Sequence, residues 1–128
     1  MAKGMRTAQS VLLVTADAAL ASYIDSILNK GLGIRTVHVH SFAEAHTGFA
    51  QGGFSAVLAD LPGVSVEELG FWKTEVPVLL LATEEARPAA RRAVEGGLAL
   101  LYMIRDGLSP DTLIGAVMDA VERPGTLW

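Results

Sequence analysis

The sequence predicts an α/β domain built on a five-stranded parallel sheet with helices on both faces. Three observations carry that prediction. Short apolar runs bounded by turn or cap signals recur at 11–14, 34–40, 56–60, 76–82 and 98–104. Stretches with apolar residues at helical spacing stand between them. The runs are near-continuous, as strands covered on both faces are, and the strand–helix alternation repeats five times.

In chain order, V-L-L-V at 11–14 is a buried strand, and Asp17 caps the helix after it. Leu20, Ile24, Ile27 and Leu28 form that helix's apolar face, and Asn29-Lys30-Gly31 supplies a basic last turn and a stop. The second strand covers 34–40. Ser41 with Glu44 matches a capping box and opens a helix to about Gln51, before Gly52-Gly53. The third strand, 56–60, ends in Asp60 and a Pro62-Gly63 turn. Ser65 with Glu68 is a second capping box, so a short helix covers 66–72. The fourth strand covers 76–82, with Pro77 near its start, where a missing N–H is tolerated. A helix over 88–95 ends at Gly96-Gly97, and 98–104 is the fifth strand. Ser109-Pro110-Asp111 combines a cap, a Pro at the first helical position and an N-terminal acid; Leu113, Val117 and Val121 then face the core, and Pro124 ends the helix.

Composition bounds the function. A chain of 128 residues is most simply one domain, able to bury roughly two-thirds of its unfolded surface. Apolar residues at 51% against 19% charged describe a core-forming chain. The net charge is −4 and no block of Lys or Arg is present, which disfavours nucleic-acid binding. Absence of cysteine excludes disulfides, thiol catalysis and zinc–thiolate sites. No apolar run approaches the roughly 18 residues of a membrane helix, and the first residues lack a signal-peptide core, so the expectation is a cytoplasmic protein. The domain is expected over 10–123. Residues 1–9 read as a frayed terminus or expression remnant, with Met5 as an alternative start, and 124–128 as a tail.

Asp60 is the candidate centre, because ligands bind and chemistry occurs at the carboxyl edge of an open parallel sheet. Around it, F-S-A-V-L-A-D-L-P-G at 54–63, P-V-L-L-L-A-T at 77–83, A-V-E-G-G-L-A-L-L-Y-M-I-R at 93–105 and L-S-P-D-T-L at 108–113 resemble the receiver domain of bacterial response regulators. The resemblance covers about residues 10–123 and implies a flavodoxin-like, CheY-like fold with strand order 2-1-3-4-5. It implies that Asp60 matches the phosphorylated aspartate, attacking a phosphoryl donor with the help of Mg²⁺. A strand-four hydroxyl and a strand-five Lys would hold the phosphoryl oxygens, and Tyr102 matches an aromatic switch that swings inward on activation.

The chain departs from that pattern around Asp60. The family's acidic pair aligns with Thr15 and Ala16, and only Asp17, one place later, is acidic. The hydroxyl position aligns with Ala82, with Thr83 adjacent. The Lys is Arg105, a planar fork in place of a compact ammonium, and the Pro after it is Asp106. The Asp60 loop is about two residues short, and the usual Asp-Gly before the third helix is absent. Asp17 with Asp60 is then at most a weak Mg²⁺ site, and otherwise no cofactor is expected. The expectation is a pseudo-receiver that keeps the fold and the aspartate without efficient phosphorylation, acting as a signalling and interaction module and not as an enzyme.

Each residue also has a plainer reading. Asp17 and Thr83 suit helix caps. Arg105 can neutralise Asp60 and Asp106, and Tyr102 can pack against the last helix. His38 and His40 share one strand face with His46 as a third vertex, a pattern that can bind Zn²⁺ or Ni²⁺, although partly exposed strand histidines are far commoner. Arg87, Arg91 and Arg92 are balanced by Glu84, Glu85 and Glu95 or form a docking surface. The resemblance implies that a histidine kinase, output domain or regulator, or a second copy in a homodimer, would use the fourth helix, fifth strand and last helix. Trp72 reads as core or lid, and Trp128 has no assignable role.

Three alternatives stand beside the interaction module. One is a conventional Mg²⁺-dependent phosphoacceptor. Another is a flavodoxin-like cofactor binder, disfavoured because T-A-D-A-A-L at 15–20 lacks Gly and carries a carboxylate. The last is a pseudo-receiver that senses a nucleotide, for example a cyclic dinucleotide, through the arginines near Arg91.

Overall fold

The computed structural model describes residues 10–49, 54–61, 65–70 and 76–122. The expectations for 1–9, Gly52-Gly53, Pro62-Gly63, Trp72, Pro124, 124–128 and the side chain of His46 lie outside the described residues.

Apolar runs fold as strands β1 (Ser10–Val14), β2 (Arg35–Val39), β3 (Ala56–Leu61), β4 (Val78–Ala82) and β5 (Leu101–Ile104). They form one parallel sheet in the order β2-β1-β3-β4-β5, the order 2-1-3-4-5 that the resemblance implies. Between and after them come α1 (Ala18–Leu32), α2 (Phe42–Phe49), α3 (Val66–Leu69), α4 (Arg87–Glu95) and α5 (Pro110–Glu122). Every residue of β1, β3 and β4 is buried, which is why these runs carry no polar alternation.

Alternation along each strand sends side chains to two cores. On one face Val11, Leu13, Leu58, Leu79, Leu81 and Met103 pack with Ile24 and Leu28 of α1 and Leu113 and Val117 of α5. On the other, Leu12, Val14, Val57, Leu80 and Ala82 pack with Ala45 of α2, Leu69 of α3 and Ala90 and Ala93 of α4. Among the described residues no helix is long and apolar enough to cross a membrane.

Several boundaries differ from expectation: β2 is Arg35–Val39, β4 begins at Val78 and α3 ends at Leu69, and two further differences have a physical reason. Helix α1 does not stop at Gly31 but runs to Leu32, and Gly33, with φ 66°, closes it by donating to the Asn29 carbonyl. Gly31 serves packing instead: a Cβ there would lie 2.7 Å from Ile114 Cδ1 of α5. Strand β5 holds only Leu101–Ile104. The Leu98 N–H returns to the Ala93 carbonyl at 2.9 Å and closes α4, and Leu100 is the first residue to reach β4, at the Val78 carbonyl. The apolar residues at 98–100 belong to a turn in which Ala99 is buried, 3% exposed, and Leu98 and Leu100 are half-buried against the two cores.

The capping signals read largely as expected. Ser65 and Glu68 make both halves of a capping box at α3. At α2, Ser41 Oγ accepts from the Glu44 N–H, but Glu44 Oε1 accepts from the N–H of His40 at 2.8 Å, one residue before the cap.

Candidate functional site

Register determines which polar residues meet at the carboxyl edge of the sheet. Val14 lies beside Ala59, Asp60 beside Leu81, and Leu81 beside Met103. Thr15, Asp60 and Arg105 therefore continue the strand faces of Leu13, Leu58 and Met103, and all three emerge on the α1/α5 side.

Asp60 is the buried centre of the group, its side chain 7% exposed. Its Oδ2 accepts from Thr15 Oγ1 at 2.7 Å and from Arg105 Nη1 at 2.6 Å. Its Oδ1 is also buried and has no hydrogen-bond partner among the described residues. Thr15, 1% exposed, also accepts from the Asp17 N–H at 3.1 Å, so its hydroxyl links the loop after β1 to the carboxylate of β3.

Arg105 follows β5 and is anchored by its N–H on the Ala82 carbonyl at 2.9 Å. Its Nη2 donates to Asp17 Oδ2 while Nη1 holds Asp60, so one planar guanidinium joins two carboxylates. Asp17 performs two tasks. Its Oδ1 accepts from the Leu20 N–H at 3.0 Å and caps α1, while Oδ2 faces Arg105. The Leu20 N–H, with Arg105 adding to it, holds the Asp17 carboxyl below its ordinary range.

Thus the expected Asp17, Asp60 and Arg105 converge, and the pairing with Asp106 is replaced. Asp106 is exposed, and Asp17 is the second carboxylate on Arg105. Thr15 is the member that the sequence reading passed over as a missing acid. Its signal was alternation, since 11, 13 and 15 share a face.

Thr83 and Tyr102 stand apart from this group. Thr83 Oγ1 accepts from the Ala86 N–H at 3.2 Å and holds the turn into α4. Tyr102 is half-buried against the α2–α4 core, so it does not pack on the last helix as its plainer reading expects. Residues 101 and 103 take the α5 side and 102 the other. Arg87 lies nearby, its pKa raised by its hydrogen bond and charge pairing with Glu84 and by Tyr102.

On β2, His38 Nε2 donates to the Thr15 carbonyl at 2.8 Å. The ring also lines a cavity of about 260 Å³ with Thr36, Asp25 and Ser22. Among the described residues no three histidine, aspartate or glutamate side chains gather as a metal-binding group.

No family model matches the chain, and no curated protein matches it. Solved structures do. The N-terminal signal receiver domain of a two-component response regulator from Bacteroides fragilis superposes with a TM-score of 0.81 at 14% identity, covering 92% of this chain and 100% of that one. A response regulator receiver domain from Clostridium thermocellum gives 0.79 at 19% identity over 90% and 95%. The beryllofluoride-activated receiver domain of Klebsiella pneumoniae RstA gives 0.78 at 17% over 90% and 100%. At these identities the likeness establishes the receiver fold.

Proposed function

We propose that this chain is a receiver-like signalling module of a two-component system that acts by binding a protein partner, with phosphorylation at Asp60 weak or absent. It is not an enzyme in this reading. The observation that carries it is the guanidinium of Arg105, which joins Asp60 to Asp17. A divalent cation recruited by those two carboxylates would meet a positive charge already between them. Asp17 Oδ1 is committed to the helix cap and Asp60 Oδ2 to Thr15 and Arg105. That donor set does not fit Mg²⁺, which demands near-octahedral oxygen ligation. The remaining oxygen, Asp60 Oδ1, is buried away from any donor molecule.

Partner docking is assigned to α4, β5 and α5. Arg91, Arg92 and Glu95 are exposed on α4, and Met118 of α5 is 39% exposed. A kinase, an output domain or a second copy is the partner class, in the cytoplasm.

The test is incubation with acetyl phosphate and millimolar Mg²⁺, followed by intact-chain mass spectrometry beside Asp60→Asn. The proposal expects at most a trace phosphoryl adduct in the wild type and none in Asp60→Asn. A stoichiometric adduct in the wild type alone would establish the conventional phosphoacceptor instead.

A further inference from the structure

We propose that His38 and His40 form a two-histidine chelate for a borderline divalent transition cation, Cu²⁺, Ni²⁺ or Zn²⁺. The argument begins with the strand. Residues two apart on β2 and its extension share a face, and the two ring centroids are 4.6 Å apart, tilted by 48°. A cation about 2.0–2.1 Å from an imidazole nitrogen sits about 3.2 Å from the ring centre, so two adjacent ligands on one ion have centroids about 4.5–5.2 Å apart. The observed spacing falls in that interval.

The hydrogen positions support the same reading. A carbonyl oxygen only accepts, so the 2.8 Å contact with Thr15 places a hydrogen on His38 Nε2 and leaves the lone pair on Nδ1. An ionised carboxylate only accepts, so the longer 3.4 Å contact with Glu44 places a hydrogen on His40 Nδ1 and leaves the lone pair on Nε2. Glu44 is held in that role by the His40 backbone N–H, the largest cause of its lowered pKa, and by the His40 ring. Each imidazole thus gives its hydrogen to a backbone carbonyl or a carboxylate and keeps one lone pair. That is the arrangement by which metal-binding histidines are oriented.

Ligand chemistry selects the ion. Imidazole suits Cu²⁺, Ni²⁺ and Zn²⁺, and with only two protein ligands the strongest binder is Cu²⁺, by the general order of divalent affinities. Water completes the shell, since His40 is exposed. Two imidazole nitrogens do not suit Mg²⁺, which takes oxygen ligands. The site is therefore separate from any cation chemistry at Asp60.

Tag-free protein titrated with CuCl₂ and then ZnCl₂, followed by amide NMR and calorimetry, tests the assignment. Saturable one-to-one binding is expected, with paramagnetic loss of signals around 36–44 on adding Cu²⁺. His38→Gln and His40→Gln should each abolish it while leaving the dispersed spectrum of the folded chain intact. Glu44→Gln, which leaves both imidazoles in place and alters the contacts of Glu44 with the His40 ring and backbone N–H, should weaken binding by about tenfold. The chain has three histidines, so the double variant retains His46 alone. Undiminished binding by that variant, or no saturable binding by the wild type, would overturn the proposal.

Discussion

Arg105 donates to Asp60 at 2.6 Å through one nitrogen and to Asp17 through the other, so the fifth strand, the third strand and the cap of the first helix meet on a single guanidinium. Arg105 is 19% exposed and Asp60 7%, so the pair lies largely out of water, where removing one partner strands the other.

Arg105→Met keeps the apolar stem and leaves the Asp60 carboxylate without its cation. The expected loss is about 3 kcal/mol of unfolding free energy in urea titration. Asp60→Asn/Arg105→Met should cost less than the sum of the single changes, by about 1–3 kcal/mol. Strict additivity would mean that the two side chains do not act as a pair.

Thr15 tests the hydroxyl alone. Thr15→Val preserves shape but removes the donor to Asp60 Oδ2 and the acceptor for the Asp17 N–H, and should cost about 1–3 kcal/mol. Thr15→Ser retains both bonds and should lie much closer to the wild type in the same titration. Equal losses from the two variants would assign Thr15 to packing only.

Asp17 sets a pH dependence with a definite sign. Its folded pKa is depressed, first by the Leu20 N–H and then by Arg105. Its contribution is present in full above the ordinary carboxylate range and is lost as pH falls through the folded value. Asn also caps helices, so Asp17→Asn removes the charge and retains the cap. The stability difference between wild type and variant should be largest near neutrality and shrink below about pH 4. A difference that grows on acidification would contradict the assignment.

Much of this is legible in the sequence because each strand is bounded by its own signals and the three central strands, β1, β3 and β4, are buried on both faces. Asp60 at the end of an apolar run and Asp17 as a cap follow from local pattern, and Arg105 as the partner of Asp60 follows from the family resemblance. The errors arise where tertiary contacts decide. Gly31 reads as a stop but is where α1 meets Ile114, and Leu98–Leu100 are apolar because they pack against the two cores without joining the strand. Asp106 is next to Arg105 in sequence, yet the helix cap across the sheet edge provides the second carboxylate. Tyr102 alternates with Met103 along β5, so it faces the α2–α4 core and not the last helix that its plainer reading expects.

The most direct measurement of the central claim is amide NMR during titration with Mg²⁺ and beryllofluoride, beside Asp60→Asn. If Arg105 already supplies the cation at Asp60, the resonances of Asp60, Tyr102 and Arg105 stay in place at millimolar Mg²⁺. Saturable shifts at those residues that vanish in Asp60→Asn would show that the guanidinium yields to the metal and that the site takes a phosphoryl group.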